Sequence, residues 1–174
     1  MRPRVGIFGL SGCWGEQIVM LNCEDQLLQL VGAIEIVDFL GGSSQNDTSG
    51  PLDLALVEGS VSNAREERQL RRIRERAALL VACGSCACFG GIAATDAPLP
   101  RDGLVELVYG PAGAHFDARE HRPLCHFVQV DHQLPGCPME KEEFLRAVAC
   151  LLCGDAPVRP TTPVCHECRM QERD

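Results

Sequence analysis

The sequence predicts an α/β fold, in which a mostly parallel open sheet carries helices on both faces. Two patterns predict it. Short apolar runs rich in β-branched residues alternate with longer segments of helical spacing, and most of the apolar runs end in turns rich in Gly or Ser. Strands that alternate with helices need crossover connections, which make the sheet parallel. The chain has 174 residues, of which 45% are apolar, and this is enough for one well-filled core.

The first half of the chain contains three predicted strands and one predicted helix. The run at 5–10 is a buried strand closed by a Ser-Gly turn, and apolar residues at helical spacing predict a helix from about 15 to 30. Residues 34–39 form the second strand and residues 52–57 the third. The segment 41–50 between them is rich in Ser, Asn and Gly and is therefore a loop.

A polar helix and a fourth strand follow. Ser62 or Asn63 is the candidate helix cap, and the helix runs to about residue 76. Its basic residues are interleaved with Glu66, Glu67 and Glu75, a pattern typical of a solvated helix face. The apolar run at 77–82 predicts the fourth strand, which leads directly into a Cys-Gly-Ser-Cys sequence.

The remaining elements complete one predicted domain. The segment of about 96–123 shows no clear periodicity, residues 127–130 form a short fifth strand, and apolar residues from 144 to 152 mark a last helix. Together the elements predict a flavodoxin-like sheet. The expected domain covers residues 1–154, and residues 155–174 form an extended tail containing Pro and Cys.

Charge and hydropathy exclude several classes of protein. Sixteen basic residues face 24 acidic ones, for a net charge of −8, whereas a nucleic-acid-binding surface needs an excess of Lys and Arg. No apolar stretch has the ~18 residues that a membrane span needs, and the N-terminus lacks the pattern of a signal peptide. We therefore expect a cytoplasmic protein. In that reducing compartment its 11 cysteines favour metal binding or redox chemistry over disulfides.

Three cysteines directly follow predicted strands: Cys13 the first, Cys86 the fourth and Cys137 the fifth. The carboxyl ends of parallel strands meet at one edge of the sheet, so these turns should converge. Thiolates bind iron strongly, and ligands on separate rigid turns suit an iron-sulfur cluster. Two alternatives stay open: the cysteines pack as small apolar residues, or they bind zinc, which usually uses paired Cys-x-x-Cys segments.

Four segments, in this order, carry a family resemblance: LSGCWG at 10–15, LVEGSV at 56–61, GSCACFGG at 84–91 and PGCP at 135–138. They resemble the small subunit of soluble, cofactor-reducing nickel-iron hydrogenases, which is related to the 20 kDa cluster subunit of complex I. The resemblance implies one proximal 4Fe-4S cluster and a partner large subunit that holds the nickel-iron centre. It also implies further Fe-S or flavin subunits, which pass electrons to NAD(P), ferredoxin or a similar carrier.

The resemblance implies that Cys13, Cys86 and Cys137 are cluster ligands and that Glu58 lies near the cluster. Most relatives have a second cysteine in the first turn, where this chain has Glu16. Some soluble relatives carry a carboxylate there, so we expect Glu16 to be the fourth ligand. The alternative is an acid placed in a first helical turn by the helix dipole. Three other cysteines compete for the fourth position: Cys23, Cys83 and Cys88.

The other cysteines are divided between packing and a possible second site. Cys150 and Cys153 fall on the apolar last helix and are expected to pack there. Cys125, which lies outside that helix, is also expected to pack as a small apolar residue. Cys165 and Cys168 lie in a segment that resembles soluble hydrogenase small subunits, where it opens an extension with further clusters. Two interpretations of this pair stay open: it has no role, or it contributes to an additional cluster or metal site.

Two other functions stay open. A complex I-like quinone-reducing subunit would share the fold, but that branch has adjacent cysteines in the first turn, whereas Trp14 follows Cys13 here. A noncatalytic, zinc-stabilised assembly protein would need only the tail cysteines. In each case this chain is expected to contribute no catalytic acid, base or nucleophile.

Overall fold

The computed structural model describes residues 2–23, 26, 32–95, 100–158 and 170. Cys165 and Cys168 lie outside the described residues, as does most of the predicted tail, so the domain boundary at 154 stays a prediction. Within the described part, the strands are β1 (Arg4–Gly9), β2 (Glu35–Asp38), β3 (Leu52–Glu58), β4 (Ala77–Cys83) and β5 (His132–Leu134). The α-helices described there are α1 (Gly15–Leu21), α2 (Ala64–Arg76), α3 (Gly84–Phe89), α4 (Arg101–Tyr109) and α5 (Lys141–Leu152).

The strands form one sheet in the order β2-β1-β3-β4-β5, and every neighbouring pair is parallel. This is the flavodoxin-like order, so the predicted fold class is confirmed. The chain moves outward from β1 to β2 and then returns to the other side of β1, so the winding direction reverses between β1 and β3. Ligands of such sheets bind at this reversal, beyond the carboxyl ends of the strands.

Both faces of the sheet are buried, and β3 shows the alternation directly. Leu54 and Leu56 belong to a core that includes Phe144 of α5, whereas Ala55 and Val57 belong to a second core on the other face. Successive strand side chains point to opposite faces, which explains why the apolar run of β3 is continuous. The helices thus cover the sheet from both sides, as expected for a parallel sheet.

The predicted fifth strand at 127–130 is wrong, since β5 begins at His132. The backbone N–H groups of residues 127 and 128 donate to Leu124 O, at 3.0 and 3.1 Å, and form a turn. Arg71 and Arg74 of α2 donate to the carbonyls of residues 127 and 129. The apolar character of this segment instead reflects partial burial against the second core.

Two helical predictions also change. The segment predicted to lack periodicity contains α4, and α1 ends at Leu21, where the N–H of Asn22 donates to the Ile18 carbonyl at 2.9 Å. The face of α2 is less solvated than predicted, because Arg76 forms a largely buried ion pair with Asp38 at 3.0 Å. The cap at Asn63 is confirmed by its side-chain hydrogen bond from Glu66 N. Among the described residues, none of the helices is long and apolar enough to cross a membrane.

Candidate functional site

The three cysteines that follow strands lie on turns at the carboxyl edge of the sheet. Cys13 is exposed in the turn between β1 and α1, and Cys137 is exposed in the turn after β5. Cys86 is half-buried in the first turn of α3, directly after β4. If these turns converge as predicted, they should contact one another.

The turn of Cys86 and the turn of Cys137 are joined by hydrogen bonds. The backbone N–H of Ser85 donates to Gly136 O at 2.6 Å, and the Ser85 hydroxyl donates to the same oxygen at 2.9 Å. Gly136 has φ +140°, and a Cβ there would lie 2.7 Å from Pro138 O, so the turn requires glycine. The role of Ser85 could not be predicted from the sequence, where its only signal is its position between Gly84 and Cys86.

The electrostatic surroundings of Cys86 bring the predicted site residues together. Burial raises the pKa of the Cys86 thiol, and the negative charges of Glu16, Cys13, Cys137 and Glu58 raise it further. Each of these groups therefore lies within electrostatic reach of one sulfur atom. Geometry agrees for the Cys13 turn: a Cβ built on Gly15 would lie 3.3 Å from Cys13 Sγ and 3.8 Å from Pro138 Cβ, so this turn lies beside the Cys137 turn.

Glu58 ends β3 in the middle of this arrangement, in register with Gly9 of β1 and Cys83 of β4. Its side chain is 1% exposed. Its Oε2 accepts a hydrogen bond from Gln17 N at 3.1 Å, whereas its Oε1 and the Gln17 Nε2 have no partner among the described residues. An unsatisfied buried acceptor costs about 1–3 kcal/mol, so a polar group that paired with either atom would stabilise the site.

Glu16 lies in the first turn of α1, but its carboxyl is buried rather than solvated. It packs against the backbone of Gly84, so closely that an added Cβ at Gly84 would overlap it. Burial raises the pKa of the Glu16 carboxyl, its own backbone N–H lowers it, and the charge and hydrogen bonding of Glu58 raise it again.

The donor set fits an iron-sulfur cluster. Three thiols and two buried carboxyls lie together, and no ion pair among the described residues involves either carboxyl. As anions these groups repel one another, and a metal centre relieves that repulsion and favours the deprotonated thiols. Within the described residues, no three or more His, Cys, Asp or Glu side chains are arranged around a single metal ion. A four-iron cluster is instead held by one ligand per iron.

The three competing cysteines lie in the hydrophobic cores. Cys23 and Cys83 are fully buried in the first core, and Cys88 is buried in the second. Their sulfur atoms approach backbone carbonyls: Cys23 that of Val19 at 3.4 Å, Cys83 that of Val81 at 3.9 Å and Cys88 that of Ala82 at 3.4 Å. These positions match the packing role of small apolar residues.

The remaining described cysteines depart partly from expectation. The prediction that Cys125 and Cys153 pack as apolar residues is wrong, because both side chains are exposed. Cys125 lies in a short turn whose buried member is Leu124, and Cys153 follows the last turn of α5. Cys150 is half-buried.

Comparison with known proteins gives one matching family. The model of the NADH ubiquinone oxidoreductase 20 Kd subunit matches residues 13–151. Sulfhydrogenase 2 subunit delta of Pyrococcus furiosus is 32% identical over 97% of this chain and 70% of that subunit. A vhu subunit of the F420-non-reducing hydrogenase of Methanocaldococcus jannaschii is 31% identical over 95% of this chain. This chain spans 61% of the length of that second relative.

A solved structure matches over nearly its whole length. It is a chain of an NAD+-reducing NiFe-hydrogenase in the H2-reduced state, with a TM-score of 0.80 and 30% identity. The match covers 92% of this chain and 97% of the other.

Proposed function

This chain belongs to the NADH ubiquinone oxidoreductase 20 kDa subunit family, and we propose that it is the electron-transfer small subunit of a cytoplasmic nickel-iron hydrogenase. The family match covers residues 13–151, and the relatives described above are named as hydrogenase subunits. The resemblance inferred from four sequence segments is therefore confirmed. In this proposal the chain is one subunit of an oxidoreductase whose nickel-iron centre lies in a partner large subunit.

The observation that supports this function is the group of three thiols and two buried carboxyls at the carboxyl edge of the sheet, which no ion pair among the described residues involves. Cys13, Cys86 and Cys137 supply three thiolates, and the buried Glu16 carboxylate supplies the fourth ligand in this proposal. The buried Glu58 carboxyl lies within electrostatic reach of Cys86, and its Oε1 has no hydrogen-bond partner among the described residues. When bound, a 4Fe-4S cluster would supply a one-electron relay between the large subunit and the next carrier.

The protein residues in this proposal hold and orient the ligands, and they move no proton. Ser85 joins two ligand turns through Gly136 O, and Gln17 N orients the Glu58 carboxylate. A carboxylate is a harder ligand than a thiolate, so Glu16 should shift the potential of the site relative to an all-cysteine shell.

The partners follow from where the ligands lie. Cys13 and Cys137 are exposed at the sheet edge, and Trp14 beside them is 44% exposed. We propose that the large subunit covers this edge, because Ile18 and Leu21 are exposed at helical spacing from Trp14, and a contiguous exposed apolar patch is typical of an interface. Further Fe-S or flavin subunits would carry the electrons to NAD(P), ferredoxin or a similar carrier.

Hydrogen-dependent dye reduction tests the proposed function. The chain is coexpressed and purified anaerobically with its large subunit, as wild type and with single Cys13→Ser, Cys86→Ser and Cys137→Ser substitutions. Cys125→Ser is the matched control, because Cys125 is also an exposed cysteine in a turn. We expect the wild type and the control to reduce a viologen dye under hydrogen and the site variants to lose iron and most of this activity. A nickel-free complex without this activity would contradict the hydrogenase assignment.

The family description favours one second candidate, a complex I-like quinone-reducing subunit. The first turn argues against it, because Cys13 is followed by Trp14 and Gly15 rather than by a second cysteine. The same preparation distinguishes the two functions. Reduction of a soluble quinone by NADH, without any response to hydrogen, would favour the complex I-like role.

A further inference from the structure

Glu66 lies on α2, in the charged segment that the sequence predicts to be a solvated face, yet its carboxylate is turned toward the protein. Its Oε1 accepts a hydrogen bond from the Ser11 hydroxyl at 2.8 Å. Its Oε2 accepts from Ser62 N at 2.8 Å and from the Ser62 hydroxyl at 3.1 Å. Hydrogen bonds to a charged acceptor are stronger than those between neutral groups, so this carboxylate firmly connects the start of α2 to Ser11 and Ser62.

Ser11, which Glu66 holds, lies at the start of the turn that presents Cys13. The backbone of Ser11 also forms a two-way bridge with Ser60: Ser11 N donates to Ser60 O at 3.1 Å, and Ser60 N donates to Ser11 O at 2.8 Å. The Ser11 side chain is thus the part of this turn that reaches α2. Cys13 follows Ser11 by two positions along the chain.

The helix that carries Glu66 is anchored independently of this turn. Arg76 at its other end forms a largely buried ion pair with Asp38, and Leu70 and Ile73 are buried in the second core. A carboxylate on this anchored helix can therefore hold the Ser11 side chain in place at the start of the Cys13 turn.

We infer that Glu66 is a positioning residue for the Cys13 turn, holding it in the conformation that receives the cluster. This inference rests on the proposed function for the role of Cys13, but the contacts themselves do not. Nothing in it requires Glu66 to touch the cluster or to change protonation. The first turn of α2 thereby has a role in cluster binding, through its contact with the turn that follows β1.

The hydrogen-bonding pattern indicates which substitution should rescue the function. With glutamine at position 66, its oxygen can accept from Ser62 N, its amide can donate to the Ser11 hydroxyl, and that hydroxyl can donate to Ser62 Oγ, 2.7 Å away. Alanine leaves Ser11 without this partner. Glu67 is the matched control, because it lies in the same helical turn but pairs with Arg71 and Arg119 instead.

The test compares Glu66→Ala, Glu66→Gln and Glu67→Ala in the anaerobically purified complex and in the cluster-free full chain. In Glu66→Ala we expect lower iron content, an altered electron paramagnetic resonance spectrum of the reduced cluster, and roughly tenfold faster amide hydrogen exchange at residues 10–13. Glu66→Gln should restore most of all three, and Glu67→Ala should match the wild type.

The outcomes separate this inference from the proposed function. If the wild type holds iron and Glu66→Ala matches it in spectrum and in exchange at 10–13, the positioning role is overturned. It is also overturned if Glu67→Ala changes these readouts as much as Glu66→Ala does. If the wild type binds no iron, the proposed function fails, while the exchange measurement still decides whether Glu66 holds the turn.

Discussion

The contact between Gly84 and Glu16 can be tested by one added methyl group. Gly84 has φ +82°, and a Cβ there would lie 2.7 Å from Glu16 Cγ and closer still to its carboxyl group. An L-residue in this left-handed region costs roughly 1–2 kcal/mol, and overpacking a filled site costs about 1–3 kcal/mol more. We therefore expect Gly84→Ala to lower the free energy of unfolding of the cluster-free chain by about 2–5 kcal/mol.

Gly154 provides a matched control for this substitution. Its φ is +81°, almost the same as that of Gly84, but no atom of the described residues lies within 4 Å of a Cβ built on it. Gly154→Ala should therefore show only the backbone cost of roughly 1–2 kcal/mol. Replacing glycine with alanine also restricts the unfolded chain, which stabilises the folded state. This gain in stability is the same in both variants and cancels in the comparison.

Urea denaturation of the two cluster-free variants, followed by circular dichroism, measures the difference in stability. Iron content after anaerobic purification measures the effect on the site. We expect Gly84→Ala to be less stable than Gly154→Ala by about 1–3 kcal/mol and to lose iron, because the methyl group displaces the Glu16 carboxyl. Equal stability and equal iron content in the two variants would refute the packing of Glu16 against Gly84.

Three further predictions concern the same edge of the sheet. Glu16→Gln should stabilise the cluster-free chain increasingly as the pH rises above about 4.5. The pKa of Glu16 is raised by burial and by Glu58, so its ionisation in the folded state is unfavourable. Stability curves at several pH values check this, and the iron content of the variant should fall. Burial lowers the pKa of His121 from 6.5, so the wild type should lose stability as the pH falls below about 6.5, and His121→Asn should lack this slope. A denaturation series from pH 8 to 5 that gives parallel curves for both proteins would contradict it. Ser85→Ala should cost about 0.5–1.5 kcal/mol by removing the hydroxyl bond to Gly136 O, as measured by urea denaturation, and unchanged stability would show that the backbone bond alone joins the two turns.

Local sequence patterns were sufficient for most of the fold. Strands β1, β3 and β4 could be predicted because they are buried on both faces and read as continuous apolar runs. The cap at Asn63 could be predicted because capping depends on neighbouring residues alone. Residues 127–130 could not, because an apolar segment held by arginines of a distant helix has the same composition as a short strand.

The candidate site was predictable in its residues but not in its supporting contacts. Strand ends and glycine turns placed the three cysteines at one edge, and the resemblance directed attention to Glu16. The hydrogen bond from Gln17 N to Glu58 and the one from the Ser11 hydroxyl to Glu66 each join residues more than 40 positions apart. Charge patterning in a single helix carries no information on such partners, which is why Glu66 was assigned to a solvated face.

Metal analysis of the anaerobically purified complex tests the central claim most directly. The measurement is iron and acid-labile sulfide per copy of this chain, after correction for metal in separately purified partner subunits. The proposed ligand set predicts about four iron and four sulfide per chain for the described site, and more only if a second site is completed. Zinc without iron, or neither metal in a folded chain, would contradict the assignment of Cys13, Cys86 and Cys137 as cluster ligands.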